Sequence, residues 1–363
     1  MTNTIEELHE LGVSTWLDDL SRQRIASGTL QQMIEAGVRG VTTNPSIFSA
    51  SIRGSEDYTA DIKRLAGQGA SVTDIIQDLT TSDVAAAADL FTAVWERSDR
   101  TDGFVSIEVD PRLAHDTEAT IEQAKLLFKT LNKPNVMIKI PATREGIPAI
   151  TAAVAVGINV NATLIFSLDR YRDAAQAYID GLEQAQKAGL DISSIASVAS
   201  VFVSRVDTEV DRRLADLGRE DLKGHAGIAN ARRVYGAFLE MFGSSSRFAQ
   251  TLGDAGAHVQ KPLWASTGVK NTAYPDTQYV DQLVAASVVN TMPEATLLAV
   301  RDHANLHGDT ITDAIAQAQE TLTDLKAAGI DWEDVMDQLE REGVEKFDSA
   351  WAELLTSVES RMK

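Results

Sequence analysis

The 363-residue chain is acidic, with 53 aspartate and glutamate residues against 33 lysine and arginine residues and a formal charge of −20. A chain of this length can bury the core of one large domain or of two ordinary ones, and its 44% hydrophobic content is typical of a globular protein. The charge argues against a nucleic-acid partner, because phosphate backbones need a basic surface, whereas a small anionic substrate needs only two or three well-placed cations.

Cysteine is absent, which excludes disulfides, thiolate nucleophiles and cysteine-ligated metal. The N-terminal segment carries acidic residues and has no basic stretch before an apolar one, so we expect no signal peptide. No apolar run reaches the length of a membrane span. These features predict a cytoplasmic protein without a membrane partner.

Eight short strand-like runs alternate with longer helical patterns along the chain. In the helix predicted over 168–188, for example, Ser167 is the expected N-cap and Gly189 follows the C-terminus. Such alternation predicts a parallel sheet, because each pair of parallel strands needs a crossover connection. The strand-like runs cover residues 13–19, 37–45, 103–111, 135–142, 158–166, 196–204, 261–267 and 288–293.

Eight strands alternating with helices favour a (β/α)₈ TIM barrel with extra helices. The main rival is a doubly wound open sheet, but no G-x-G-x-x-G motif follows the first strand. A barrel of this kind takes roughly 250 residues, and the excess falls in two places. Residues 51–102 predict a mostly helical connection, and residues 310–363 predict a helical C-terminal extension. Without a low-complexity linker or a repeat, we interpret residues 1–363 as a single domain.

One lysine lies inside an otherwise apolar strand. In NVMIKIPA, residues 135–142, Lys139 shares one strand face with Met137, while three aliphatic residues form the other face. Lysine is rarely fully buried without compensation. On these residues alone, a side chain whose stem packs while its ammonium reaches water is the simpler interpretation.

Polar residues at the ends of the other strands change that interpretation. The C-terminal ends of barrel strands are where catalysis takes place in this fold. Polar groups that converge around Lys139 favour a catalytic lysine, since a neutral amine can attack a carbonyl and form a Schiff base. The polar residues at these ends are Asp18, Asp19, Thr42, Thr43, Asn44, Glu108, Asp110, Asn161, Thr163, Ser200, Ser204, Arg205, Ser266 and Lys270.

Several long motifs resemble those of transaldolases, in order and over nearly the whole chain. They are VTTNPSIF, SIEVDPRLAHDTEATI, MIKIPAT, NVNATLIFS, SVFVSRVD, GIANARRVY and LEREGVEKF, with WLDDLSR and WASTGVKN resembling the longer-chain bacterial subgroup. The resemblance implies a class I aldolase mechanism with neither metal nor organic cofactor. In that mechanism a lysine Schiff base carries dihydroxyacetone from sedoheptulose 7-phosphate to glyceraldehyde 3-phosphate, in the non-oxidative pentose phosphate pathway. It also implies that residues 310–363 partly cover the site.

The resemblance assigns the catalytic roles residue by residue. Lys139 is the Schiff-base lysine, and Glu108 is the acid/base residue, acting through a water that Thr163 helps to hold. Asp18 is the base for the C4 hydroxyl, because WLD matches the family's first-strand pattern; the alternatives are a turn or cap role for this aspartate and assignment of the base to the adjacent Asp19.

The resemblance also places a set of polar side chains around the sugar phosphate. The Asn-Pro pair at Asn44 is explained equally well as a turn. Gly268 stands where shorter members of the family have an arginine, so we transfer the phosphate-binding role to Lys270, which offers a point charge rather than a fork of donors. The substrate-binding set is Asn44, Asn161, Ser200, Arg205, Ser266 and Lys270.

Three other functions stay open at this point. A related class I aldolase would release free dihydroxyacetone, and a noncatalytic barrel would only bind sugar phosphates. A metal-dependent aldolase is disfavoured, because His303 and His307, spaced i, i+4, have no acidic third ligand nearby in sequence. We therefore expect small sugar phosphates as the only partners, no metal, and either a monomer or a homodimer.

Overall fold

Eight strands form a closed barrel. They are parallel, because the helical chain after each strand returns to the end of the barrel at which the next strand begins. In the computed structural model, which describes residues 4–363, β1 pairs with both β2 and β8. The predicted (β/α)₈ barrel is therefore confirmed, and the alternative of a doubly wound open sheet is wrong. The strands are β1 (Val13–Leu17), β2 (Gly40–Val41), β3 (Val105–Glu108), β4 (Val136–Pro141), β5 (Val160–Ile165), β6 (Ser197–Phe202), β7 (Gln260–Ala265) and β8 (Val288–Met292).

The helices follow the predicted pattern. The hydroxyl of Ser167 caps the predicted helix by accepting the N–H of Arg170 at 3.0 Å, and Gly189 follows its end with φ +81°. The predicted C-terminal extension is helical, and a turn at 328–331, where Gly329 has φ +105°, divides it into two helices. The helices are α1 (Thr4–Glu10), α2 (Arg22–Ala26), α3 (Thr29–Glu35), α4 (Pro45–Gly54), α5 (Thr59–Gly67), α6 (Val72–Arg97), α7 (Thr117–Leu131), α8 (Gly146–Ala155), α9 (Leu168–Lys187), α10 (Ser204–Asp216), α11 (Ala226–Phe242), α12 (Gln278–Asp281), α13 (Glu294–His303), α14 (Ile315–Ala327) and α15 (Trp332–Arg361).

The two faces of each strand enter different parts of the core. Val136 and Ile138 of β4 pack outward in the large cluster between the strands and the surrounding helices. Met137 points inward and joins Trp16 and Leu263 in the cluster that fills the barrel interior. The side chains of NVMIKIPA thus alternate between the two faces of β4 as predicted, and this alternation directs Lys139 into the barrel. None of the helices described in residues 4–363 is long and apolar enough to cross a membrane.

The lower end of the barrel is closed by a fixed tryptophan. Trp16 is fully buried, and its Nε1 donates to Asp102 Oδ1 at 2.8 Å and to Ser14 Oγ at 3.0 Å. The neighbouring strand has Gly40 beside the indole, where an added Cβ would lie 2.5 Å from Cε2 of Trp16. Because the indole is held by hydrogen bonds and packing, the missing side chain of Gly40 is a steric requirement.

Substituting Gly40→Ala is expected to lower the free energy of unfolding by about 1–3 kcal/mol, since the indole must leave its hydrogen-bonded position. Urea denaturation measures this change. Gly54→Ala is the matched control, because an added Cβ there meets no atom within 4 Å. An unchanged unfolding midpoint for Gly40→Ala would show that Trp16 relocates without cost.

Candidate active site

Strand register brings three of the predicted polar residues to one level of the barrel. Glu108 of β3 pairs with Lys139 of β4, and Lys139 pairs in turn with Asn161 of β5. Side chains at the same level on adjacent strands of a barrel lie next to one another. The upper end of the barrel therefore holds a carboxyl group, an amine and an amide in one row.

Lys139 is buried beside a carboxyl group. Its side chain is 6% exposed, and its Nζ lies 3.5 Å from Oε2 of Glu108, whose side chain is 2% exposed. The ammonium also donates to the backbone oxygen of Thr43 at 3.2 Å and lies 5.8 Å from the ring centre of Phe347. Burial raises the pKa of Glu108 to about 7, although the positive charge of Lys139 opposes this shift. Near neutral pH, Glu108 can therefore both accept and donate a proton.

Glu108 and Thr163 keep hydrogen-bonding capacity unused within the described part of the chain. Both carboxyl oxygens of Glu108 and the hydroxyl of Thr163 are buried and lack a hydrogen-bond partner there. Thr163 lies in a bulge of β5, where the register with β6 shifts and Leu164 adopts a left-handed backbone with φ +58°. Bulges beside active sites re-aim side chains, and buried polar groups left unpaired are costly, so this arrangement is typical of a functional site.

The structure separates the two adjacent aspartates. Asp18 follows β1 at the mouth of the barrel and accepts a hydrogen bond from Thr42 Oγ1 at 2.7 Å. Burial raises its pKa, against the opposing effects of Lys139 and the Thr42 bond. Asp19 turns away and forms an ion pair with Arg24 at 2.6 Å. Of the two, Asp18 is the carboxyl group that faces Lys139.

Amide and hydroxyl groups line the barrel next to the lysine. Asn161 donates from Nδ2 to Ser106 Oγ at 3.1 Å and accepts from the hydroxyl of Ser200 at 2.7 Å. Asn44 has the role that its Asn-Pro context suggests, since its Oδ1 caps α4 by accepting the N–H of Ile47 at 3.0 Å. It nevertheless lines the same cleft as Lys139. The cap and the cleft position are compatible.

A cleft of about 170 Å³ opens above Lys139 between the barrel and the C-terminal helix. Asn161 and Thr163 do not line it and are fully buried in β5, and Glu108 lines a separate small cavity next to Asn44. The seven other predicted site residues line the cleft, namely Asp18, Asn44, Lys139, Ser200, Arg205, Ser266 and Lys270. The sequence-predicted set therefore forms a single site with a floor and a mouth.

Cations gather at the mouth of this cleft. Arg205 lies in the first turn of α10, with its guanidinium 5.1 Å from the ring centre of Phe202. A Cβ added at Gly268 would lie 3.8 Å from Nζ of Lys270. The ammonium of Lys270 therefore lies next to the position at which shorter members of the family have an arginine. Ser266, with φ +55°, contacts Ser204 through hydroxyl groups 2.9 Å apart. These groups provide positive charge and hydroxyl donors for an anion.

The cleft residues that were not predicted to belong to the site include two side chains of the C-terminal helix. Lys346 and Phe347 of α15 line the cleft, within the LEREGVEKF motif. The sequence feature that could have indicated their position is Gly343. A glycine inside a helix lowers stability by about 1 kcal/mol relative to alanine, and it often marks close packing against another element. A Cβ at Gly343 would lie 3.1 Å from Cδ2 of Leu164, which shows how closely α15 approaches β5.

One histidine of the pair considered for metal binding is engaged in surface ion pairs. His303 lies between Asp276 at 2.8 Å and Asp302 at 3.1 Å on the surface. Within residues 4–363, no group of three or more histidine, aspartate or glutamate side chains is placed to hold a metal ion.

Residues 15–358 match the family described as Transaldolase/Fructose-6-phosphate aldolase. The chain is 54% identical to "Transaldolase 1" of Streptomyces avermitilis, over all of this chain and 97% of that protein. It is 53% identical to "Transaldolase" of Saccharopolyspora erythraea, over 99% of this chain and 98% of the relative. It is 54% identical to "Transaldolase" of Mycolicibacterium smegmatis, over 98% and 96% of the two chains.

Proposed function

Because the chain belongs to the transaldolase/fructose-6-phosphate aldolase family, and is therefore an enzyme, we propose that it transfers dihydroxyacetone between sugar phosphates through a Schiff base on Lys139. The reaction converts sedoheptulose 7-phosphate and glyceraldehyde 3-phosphate into erythrose 4-phosphate and fructose 6-phosphate, as a cytoplasmic step of the non-oxidative pentose phosphate pathway. The observation that carries the proposal is the buried amine of Lys139, 3.5 Å from a carboxyl group with a pKa of about 7.

The first half of the reaction forms the Schiff base. Lys139 must lose a proton before its amine can attack the ketose carbonyl, and Glu108 is the nearest group able to accept it. Nitrogen then bonds to C2, the carbonyl oxygen is protonated, and water leaves to give the iminium. We assign these proton transfers to Glu108, relayed by a water on the Thr163 hydroxyl, because their buried oxygens have no other partner in the described chain.

The second half breaks and remakes a carbon–carbon bond. Asp18 takes the proton of the C4 hydroxyl, the C3–C4 bond breaks, and its electron pair moves into the iminium to form an enamine. The aldose leaves, and the enamine adds to the aldehyde of the acceptor by the reverse steps. The raised pKa of Asp18 suits this role, since the carboxyl group must hold the proton until the acceptor arrives.

The remaining predicted residues bind the substrate. We assign the sugar hydroxyls to Asn44, Asn161 and Ser200 along the barrel wall, and the phosphate to Arg205 at the cleft mouth. Ser266 and Lys270 join Arg205 in the phosphate site, which the loops after late barrel strands commonly form.

Borohydride reduction in the presence of fructose 6-phosphate, followed by peptide mass mapping, tests the proposal. We expect a dihydroxyacetone or hexose phosphate adduct on the peptide that contains Lys139. Labelling of a different lysine, or labelling that does not depend on the sugar, would overturn the mechanism.

The variant Asp18→Asn is expected to form the Schiff base but to cleave it slowly. Transfer should fall by about 10²–10⁴-fold, because the C4 hydroxyl loses its base. Borohydride should then trap mainly the uncleaved hexose phosphate, identified by adduct mass. Asp19→Asn is the matched control and should transfer normally, since Asp19 is paired with Arg24 instead. Equal losses in both variants would contradict the assignment of the base.

The family description supports one alternative, an aldolase that releases free dihydroxyacetone. The curated relatives at 53–54% identity are named transaldolases, which favours transfer. Steady release of dihydroxyacetone without an acceptor aldose would instead favour the aldolase. A noncatalytic barrel has no support from either the family or the relatives.

A further inference from the structure

Three cations from three separate elements meet at the mouth of the cleft. Arg205 comes from α10, Lys270 from the chain after β7, and Lys346 from α15. The positive charge of Arg205 lowers the pKa of Lys346, with smaller contributions from burial and from Lys270. The three side chains are therefore close enough to repel one another.

These cations lack the carboxylate partners that other basic residues in this acidic chain have. Arg170 of α9, for example, pairs with Glu340 of α15 at 3.2 Å. Within residues 4–363, none of the three cleft cations has a carboxylate within ion-pair distance. The carboxylate of Glu342, one turn before Lys346, acts on Arg205 only at longer range and accepts a hydrogen bond from Gln338 at 2.6 Å. The cluster therefore has unbalanced positive charge.

A phosphate monoester is the ligand that best balances this cluster. It carries a charge of about −1.5 to −2 at neutral pH and offers three acceptor oxygens. Neighbouring cations repel each other when no ligand is bound, and a bound dianion offsets this repulsion. A cluster of cations therefore binds a dianion more strongly than the same cations would if each were paired with a carboxylate. One arginine and two lysines supply both a planar donor group and two adaptable point charges.

We propose that Lys346 is a third cationic ligand of the phosphate, so that the phosphate of the bound sugar joins the C-terminal helix α15 to the barrel. The inference rests on the proposed function, since it requires a phosphorylated substrate. The next residue, Phe347, has its ring centre 5.8 Å from Nζ of Lys139. Contact between the phosphate and Lys346 thus also fixes the ring of Phe347 beside the reacting amine. The enzyme can therefore distinguish phosphorylated from free sugars through α15.

Steady-state kinetics of Lys346→Gln with fructose 6-phosphate and with unphosphorylated fructose as donors tests the proposal. The kcat/KM for fructose 6-phosphate should fall about 10–100-fold, the effect of losing one charge-assisted contact, while that for fructose should not change. Inorganic phosphate, used as a competitive inhibitor, should bind more weakly by a similar factor. Lys346→Arg should restore most of the discrimination between the two donors.

The matched control is Arg341→Gln, which removes one positive charge from an exposed position of the same helix outside the cleft. It should leave both donors and phosphate inhibition unchanged. Unchanged kinetics of Lys346→Gln, or equal losses with both donors, would overturn the proposal. If the proposed function is wrong, no sugar adduct should form on Lys139 in any variant, including the unchanged enzyme. If it is right, Lys346→Gln should still give the full adduct at saturating fructose 6-phosphate.

Discussion

Replacing Lys139 with methionine is expected to abolish turnover while the barrel stays folded. Methionine fills a similar volume with a flexible apolar side chain, and it removes a buried amine that contacts Thr43 and Glu108. Without a nucleophile no Schiff base forms, so transfer should fall by more than about 10⁴-fold. A coupled assay of aldose release measures the loss, and circular dichroism measures the fold.

The chain provides a matched control for this substitution. Lys261, near the start of β7, is also largely enclosed, and burial lowers its pKa, but its Nζ donates to the backbone oxygen of Thr101 at the opposite end of the barrel. Lys261→Met should keep turnover near that of the unchanged enzyme. Substantial residual transfer in Lys139→Met, with Lys261→Met unaffected, would exclude a Schiff base on Lys139.

Replacing Glu108 with glutamine is expected to slow turnover by about 10²–10⁴-fold and to change its pH dependence. The unchanged enzyme should lose kcat/KM as the pH falls through about 7, because protonated Glu108 cannot accept the proton of Lys139. Glu108→Gln should lack this inflection, whereas Asp19→Asn should retain it. An inflection near pH 7 in Glu108→Gln would assign the titration to another group.

The same ionisation predicts how stability depends on pH. The pKa of Glu108 in the folded protein is about 7, above the value of 4.5 for an exposed glutamate. A carboxyl group whose pKa is raised by folding contributes stability that is complete below pH 4.5 and is lost as the pH rises through about 7. Urea unfolding between pH 5 and pH 8 should therefore show a smaller decline for Glu108→Gln than for the unchanged protein.

Local patterns predicted most of the fold. Strand periodicity and helix caps such as Ser167 depend on a few neighbouring residues, so seven strands lie within their predicted runs and β7 begins one residue before its run. The same reasoning also predicted a helical C-terminal extension, which the structure divides into two helices at Gly329, a residue with φ +105°. The composition favours helix on both sides of that position, and the left-handed backbone of Gly329 produces the turn between them.

The site was predicted less completely, because part of it depends on packing between distant elements. Lys139 was noticed by its place in an apolar strand and interpreted as catalytic because of the polar strand ends around it, whereas Asp18 was chosen over Asp19 from the resemblance to the family. Lys346 and Phe347 belong to a helix whose sequence does not indicate which end of a barrel it covers. The bulge that shifts the register next to Thr163 is likewise a property of paired strands, so the sequence of β5 alone does not reveal it.

The order in which the ribosome makes the chain limits when this cleft can exist. Asp18 follows the first strand, Lys139 lies in the fourth, and Phe347 belongs to the last helix, while the barrel closes only when β8 reaches β1. Synthesis between the first and last of these residues takes on the order of tens of seconds. Sugar phosphates therefore cannot stabilise the nascent chain through this cleft, and we expect them to protect only molecules whose translation has passed α15.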